Sequence, residues 1–460
     1  MASKHEATLS FHGGVGSVTG ANFLLQGEHT RLLVDCGLIQ GEKFAHDLNR
    51  AAFPYDPASI EYLLVTHAHI DHIGRIPKLV RDGFSGKILS TPQTLDLSKL
   101  MLPDAFSLMR SETDSGDELL YDEKDIARAF LLWKTAALHE SFEVGEFEVT
   151  TRGSGHILGS AMFEIRRTGG ERSIIFTGDL GNAPTPLLEP AETASGASYL
   201  VMESVYGDRN HEGIERRKER LAAVIHATIR RKGTLLIPCF SLEKTQVLLS
   251  EMGELFEDQK LVDAIPVFLD SPLAIKVTNV YKEYSASLNA EAKRRMADGD
   301  DIFSFPKLKL TMTRQDSDEI ERTQGPKIVI AGSGMSAGGR ILEHERRYLG
   351  DSSNTILFIG YQAVGSLGRH IQEGVKKVRI GNEVVHVRAH VETVTGYSSH
   401  MDSEHLLEFA EKACDGGALE KVFVVMGEPK AALFLAQRVK DYFGVETHVP
   451  EAGESVAISL

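Results

Sequence analysis

Three imidazoles and a carboxylate crowd into six positions of Thr66-His67-Ala68-His69-Ile70-Asp71-His72, directly after the apolar run Tyr62-Leu63-Leu64-Val65. Imidazole nitrogen and carboxylate oxygen are the donors that borderline divalent ions such as zinc prefer, and a strand end aims them into one space. His67 and His69 lie two residues apart, so an extended backbone points both side chains the same way. Asp71 and His72 follow where the chain turns away, and can serve a second ion. Such a centre needs further donors from elsewhere. His156 lies in the glycine-flanked stretch Gly153-Ser154-Gly155-His156-Ile157-Leu158-Gly159-Ser160. Asp179 closes Phe176-Thr177-Gly178-Asp179, where a carboxylate is placed to bridge two ions. His400 lies in Gly396-Tyr397-Ser398-Ser399-His400-Met401-Asp402. Singly, each of the three reads more often as a hydrogen-bonded structural residue. Beside the dense cluster they read as the rest of a donor set.

The elements that must position these residues alternate short apolar strands with longer amphipathic segments, the pattern of an α/β architecture. In the first third, strands are expected at residues 8–11, 22–25, 31–35 and 61–66, joined by glycine turns into a sheet of hairpins. Helical patterns span 94–110 and 123–137, and strands return at 147–151, 161–167, 173–177 and 199–202. After Tyr206 the texture changes. A charged helix (212–232), a strand (234–237), a helix (242–256) and strands at 266–269, 327–330 and 355–359 predict a parallel sheet flanked by helices. Strands at 384–391 and 422–425, a helix at 402–413 and a short end strand follow. The layout suggests an insertion into a discontinuous outer domain. The run Gly13-Gly14-Val15-Gly16-Ser17-Val18-Thr19-Gly20 lacks the Lys-Ser/Thr ending of a phosphate loop and precedes a strand, so it reads as an inter-strand turn.

The donor set resembles the H-x-H-x-D-H signature of the metallo-β-lactamase superfamily, with its later His, Asp and His. The resemblance implies a four-layer αββα sandwich with two metal ions at one sheet edge. On this sequence His67, His69 and His156 would hold one ion, Asp71, His72 and His400 the other, and Asp179 would bridge. Asp35, closing Leu32-Leu33-Val34-Asp35, matches the superfamily's first acidic motif, which supports the ligands by hydrogen bonds. The inserted segment narrows the likeness. Met202-Glu203-Ser204-Val205-Tyr206-Gly207, Pro238-Cys239-Phe240-Ser241, Asp270-Ser271-Pro272-Leu273-Ala274, Gly332-Ser333-Gly334-Met335 and Gly365-Ser366-Leu367-Gly368-Arg369-His370 resemble, in order, the landmarks of the β-CASP nucleases.

The likeness covers essentially the whole chain and is greatest to the RNA-cleaving branch, which includes the cleavage and polyadenylation endonuclease and its bacterial and archaeal relatives. It implies a metallo-β-lactamase domain at 1–206 and 384–460 and a β-CASP domain at 207–383. It further implies a metal-dependent ribonuclease, endonucleolytic, acting in RNA processing or decay. Asp71, Glu203 and His370 would be catalytic, with His370 as proton donor and Glu203 orienting it. A His at this place marks RNA-processing members, whereas the DNA-repair branch tends to carry Val. Ser241, Lys244, Ser333 and Arg369 are candidates for substrate phosphates. Lys244 stands where the family often has Arg, and meets phosphate as a point charge without bidentate geometry. The expected cofactors are two Zn2+ per chain, with Mn2+ also accommodated by the ligand set. The alternatives are a DNA-processing β-CASP nuclease or a small-molecule metallo-hydrolase.

The 460 residues, 42% apolar and 25% charged, exclude disorder, collagen and coiled coil and allow two or three domains. Three scattered Cys give no disulfide framework and suggest a reducing, cytoplasmic compartment. No apolar run suits a membrane span, and the first residues lack the apolar stretch of a signal peptide. The partner expected is single-stranded RNA, with no membrane and with a homodimer left open. The net charge of −15 argues on its face against nucleic acid, but it is unevenly spread. Residues 206–385 hold 27 Lys and Arg against 25 Asp and Glu, and the rest of the chain 23 against 40.

Overall fold

Short strands rich in β-branched and aromatic residues build two sheets in one part of the chain, and a six-stranded and a two-stranded sheet in the other. A computed structural model describes residues 6–41, 44–112, 118–258, 265–360, 362–363 and 365–460. Residues 1–5, where the sequence lacks the apolar stretch of a signal peptide, lie outside the described residues. The chain divides into two compact units, Met1–Asn210 with His400–Leu460, and His211–Ser399.

The first unit contains two seven-stranded sheets. One runs Ser455–Ser459, Glu6–Gly13, Asn22–Gln26, Arg31–Val34, Tyr62–Leu64, Lys87–Ser90, Trp133–Thr135. The other runs Glu446–His448, Lys421–Val425, Tyr199–Glu203, Ser173–Phe176, Ala161–Arg167, Phe147–Gly153, Ser141–Val144. Their facing sides share one core, with Leu9, Phe11, Leu25 and Val34 packed among Val149, Phe163, Phe176 and Phe423. The far side of the second sheet buries Ile175, Leu200 and Met202 against Leu406 of helix Ser403–Cys414 and Leu435 of helix Pro429–Phe443. Helices Pro92–Glu112 and Glu123–Leu132 contact the far side of the first sheet. The layers are therefore α, β, β and α.

Two expectations are corrected here. Only the first three strands of the first third are joined as hairpins; Arg31–Val34 pairs in parallel with Tyr62–Leu64, because the long connection between them crosses over and does not turn back. The helical pattern read over 123–137 stops at Leu132. Trp133–Thr135 pairs with Lys87–Ser90, and Trp133 donates its indole N–H to Ser90 Oγ at 2.8 Å.

The second unit is built on a six-stranded, all-parallel sheet with buried apolar clusters on both faces. Helices such as Lys244–Asp258 and Ile341–Tyr348 make the crossovers that parallel strands require. This compact unit extends to Ser399. Within it, 384–391 does not form one strand. Glu383–His386 pairs antiparallel with Lys377–Ile380, and His390–Thr393 joins Thr355–Phe358 in parallel. The amides of Arg388 and Ala389 both donate to the Leu349 carbonyl and break the run between them.

Candidate metal centre

Three loops that carry the centre follow the strands Tyr62–Leu64, Phe147–Gly153 and Ser173–Phe176, and a fourth stretch brings in His400. Tyr62–Leu64 runs into Val65 to His69, and Ile70–Ile73 closes as one helical turn bearing Asp71 and His72. That turn rests on Gly37, where a Cβ would lie 1.5 Å from the Asp71 carbonyl oxygen. The His156 loop rests likewise on Gly181, whose Cβ would meet the Gly155 oxygen at 1.9 Å. Only glycine permits either approach.

Within this frame His69 Nδ1 faces His67 Nε2 at 3.1 Å and His156 Nε2 at 3.2 Å. Asp179 Oδ2 lies 3.4 Å from His67 Nε2 and 3.5 Å from His156 Nε2. Donors bonded at about 2.0–2.1 Å to a tetrahedral ion stand about 3.3 Å from one another, so these four atoms have the spacing of a coordination shell. Hydrogen bonding alone serves them poorly, since His69 Nδ1 carries at most one proton for two facing nitrogens. The other Asp179 oxygen, Oδ1, faces His72 Nε2 at 3.4 Å, and among the described residues neither of these buried atoms has a hydrogen-bond partner. One carboxylate thus presents an oxygen to the three-histidine group and an oxygen to His72. Asp71 Oδ2 lies 3.9 Å from His72 Nε2, and His400 Nδ1 lies 3.8 Å from Asp179 Oδ2. The residues fit a divalent-ion centre, and a buried polar pair left facing itself is otherwise costly.

The supporting contacts are as specific. Asp35 has a left-handed backbone (φ 61°), held there by its own carboxylate. Its Oδ1 accepts from Thr66 N–H at 2.8 Å, and its Oδ2 accepts from the Thr66 hydroxyl at 2.8 Å and meets His72 Nδ1 at 2.7 Å. Burial pulls the His72 imidazole down, but Asp179 and Asp35 outweigh it and hold its pKa well above the usual value. Burial pushes Asp179 up, and His72 and His67 reverse this, so its carboxyl stays well below the ordinary range. Burial and neighbouring imidazoles hold His69 and His156 well below the usual histidine value, which keeps them neutral donors.

Within the first unit, Glu203 Oε1 accepts from Leu180 N–H at 2.7 Å and meets His400 Nδ1 at 3.2 Å, and its Oε2 accepts from Val205 N–H at 3.3 Å. Asp179, Glu203 and His400 form a second group with ligand-like spacing. The available signal was that Glu203 closes a strand with no exposed residue, as Asp179 follows one by three residues.

The remaining assigned residues lie in the second unit. His370 is exposed on helix Leu367–Gln372. Ser241 Oγ meets Ser271 Oγ at 3.2 Å, a residue that had no assignment. Ser333 Oγ accepts from Ala337 N–H at 2.9 Å, and Arg369 Nε donates to Glu373 at 2.6 Å. The Lys244 ammonium lies over the Phe240 ring at 4.5 Å, and burial pushes its pKa down to about 8.

The sandwich and its histidine–aspartate centre define a metallo-hydrolase of the metallo-β-lactamase class. Residues 16–223 match the family model of the metallo-beta-lactamase superfamily, 245–371 that of the Beta-Casp domain, and 384–450 that of the Zn-dependent metallo-hydrolase RNA specificity domain. Ribonuclease TTHA0252 of Thermus thermophilus is 32% identical over 97% of this chain and 99% of its own length. Transcription termination factor FttA of Pyrococcus abyssi is 31% identical over 97% of this chain and 70% of its own. A crystal structure of a protein of unknown function from Enterococcus faecalis V583 aligns with a TM-score of 0.57 over 98% of this chain and 100% of that one. At 14% identity that likeness concerns the fold alone. The chain belongs to the β-CASP ribonuclease family of the metallo-β-lactamase superfamily. Among the described residues, no helix is long and apolar enough to cross a membrane.

Proposed function

We propose that the protein is a two-zinc ribonuclease that cuts single-stranded RNA internally, as a step in RNA processing or decay. The observation that carries this reading is the Asp179 carboxylate, set between a three-histidine group and His72. It stands in a chain that matches an RNA specificity domain and has a ribonuclease among its relatives. Under this reading His67, His69 and His156 would hold one ion, Asp71, His72 and His400 would hold the other, and Asp179 would serve both.

Bound there, the two ions would lower the pKa of a water molecule to make a nucleophile at neutral pH, and would offset charge gathering on the phosphate. The chain's own residues do the rest. Asp35 fixes the tautomer and angle of His72, and Glu203 positions His400. Lys244 offers a cation to a substrate phosphate, with Ser241 and Ser333 as hydroxyl donors. Arg369 takes this role by exchanging its Glu373 partner for phosphate. His370 protonates the departing 3′-oxygen, leaving a 5′-phosphate and a 3′-hydroxyl.

Purified protein assayed on labelled single-stranded RNA, single-stranded DNA and nitrocefin tests the reading, with bound zinc counted by mass spectrometry. Cleavage of RNA at internal sites, including RNA blocked at its 5′ end, is the expected result. Hydrolysis of DNA or nitrocefin with RNA left intact would overturn it. His370→Ala should retain its metal and lose roughly 10²–10⁴-fold in RNA turnover, the range of general acid catalysis. Unchanged turnover in that variant removes the acid assignment.

A further inference from the structure

The second unit carries a charged surface that the proposed chemistry does not use. In the hairpin of Lys377–Ile380 and Glu383–His386, Val378, Ile380 and Val385 are buried in a core with Leu349, Phe358 and Ile371. The alternate residues Lys377, Arg379, Val384 and His386 are exposed. The register sets Lys377 opposite His386 and Arg379 opposite Val384. Arg388 and His390 continue the two-residue alternation on the exposed side. One face of the hairpin is therefore anchored by the core, and the other is a cationic platform held rigid from beneath.

Little on this platform is neutralised. Between 374 and 390 there are four Lys or Arg outside the helix and a single carboxylate, Glu383, which has Arg346 of helix Ile341–Tyr348 at 3.7 Å. Among the described residues, no carboxylate oxygen lies within salt-bridge distance of Lys377, Arg379 or Arg388. Cations two residues apart on a strand stand roughly 7 Å from one another, facing outward in a row. Guanidinium and ammonium groups so placed suit phosphate oxygens. Residues 374–390 carry no Phe, Tyr or Trp, so apart from the imidazoles of His386 and His390 the face offers cations, which meet the backbone and do not read sequence. The contrast with a chain of net charge −15 marks the patch out, since the surrounding field would otherwise repel a polyanion.

We propose that this hairpin face binds the sugar-phosphate backbone of the RNA substrate without regard to sequence. The proposal rests on the ribonuclease reading, and adds to it a contact surface that shares no residue with the metal centre. Its test is the affinity of the metal-loaded full chain for a labelled single-stranded RNA over a series of KCl concentrations. The double substitution Lys377→Gln, Arg379→Gln should flatten the slope of log affinity against log salt by about 1.4, or ~0.7 for each phosphate of a single strand that goes unneutralised. It should leave the melting temperature where it was, because both side chains are exposed. Lys412→Gln with Lys440→Gln, an equal charge change at exposed positions of the first unit, should not alter the slope. An unchanged slope in the hairpin variant, with RNA still cleaved, overturns the proposal and spares the ribonuclease reading. A wild-type protein that neither binds nor cleaves RNA overturns both. Polyaspartate that binds more tightly than RNA, and is released by the same double substitution, assigns the face to an acidic protein and also overturns the proposal.

Discussion

A single carboxylate, Asp35, ties the strand end to the metal centre. It holds Thr66 through both backbone and hydroxyl and turns His72 by its Nδ1, leaving Nε2 aimed at Asp179. Asp35→Asn isolates that role, because Asn tolerates the left-handed backbone about as well as Asp does. Its single amide oxygen, however, cannot take all three contacts that the two carboxylate oxygens make with Thr66 and His72. The expected outcome is a loss of roughly 10–100-fold in affinity for the ion that His72 would hold, with the fold retained. Zinc titration against a competing chelator measures it, and an unaltered affinity would contradict the positioning role. Asp35 was legible only through its match to the superfamily's first acidic motif, because a lone acid closing an apolar strand before a glycine reads by itself as a turn residue. The His67–His72 cluster was legible directly, since its donors are neighbours in the chain. The contact of Glu203 with His400 was not legible, since the two stand 197 residues apart and only the fold brings them together.

At the scale of elements, the sequence reading failed where local pattern and tertiary pairing disagree. Ile126, Ala129, Phe130 and Trp133 keep a helical spacing, yet strand Lys87–Ser90 recruits Trp133–Thr135 and ends the helix early. The alternation across 384–391 is unbroken, so nothing local shows that Leu349 parts it into two strands. Helix Lys244–Asp258 offers a test of how a buried element tolerates charge. Glu243, just before it, is buried with only the Tyr281 hydroxyl donating to Oε2, and burial pushes its pKa up to about 8. A carboxyl raised in the folded state contributes fully below the unfolded value of 4.5, and that stability is lost as pH rises to about 8. Across this window the loss approaches about 1.4 kcal/mol per pH unit. Glu243→Gln keeps the volume and removes the titration. Its melting temperature should gain on the wild type steadily between pH 5 and pH 8. An offset that does not change with pH would show that Glu243 is ionised in the folded protein.

For the whole molecule, the proposed ligands lie in one of the two units and on both of that unit's chain segments. His67, His69, Asp71, His72, His156 and Asp179 belong to Met1–Asn210, and His400 opens the returning segment His400–Leu460. The return is also fixed by ladder pairing of Lys421–Val425 with Tyr199–Glu203 and of Ser455–Ser459 with Glu6–Gly13. Near the centre it depends on less. Gly181 and His400 form an isolated bridge, and Met401 N–H donates to the Leu180 carbonyl. Without ions, buried donors such as His72 Nε2 and Asp179 Oδ1 face each other with no hydrogen-bond partner. Occupancy and folding of this unit are therefore linked, and ions at 100 times their dissociation constant would stabilise it by about 2.7 kcal/mol per independent site. Stripping the metal with a chelator should raise hydrogen exchange in the amides of 66–72, 153–156, 178–182 and 400–402. The parallel strands Thr234–Pro238 and Lys327–Ala331 of the second unit, which hold none of these ligands, should exchange as before. Zinc added back should restore protection in the first group. Equal loosening of both units on chelation would mean that the ions stabilise more than the unit that supplies their ligands, and the linkage argued here would fail.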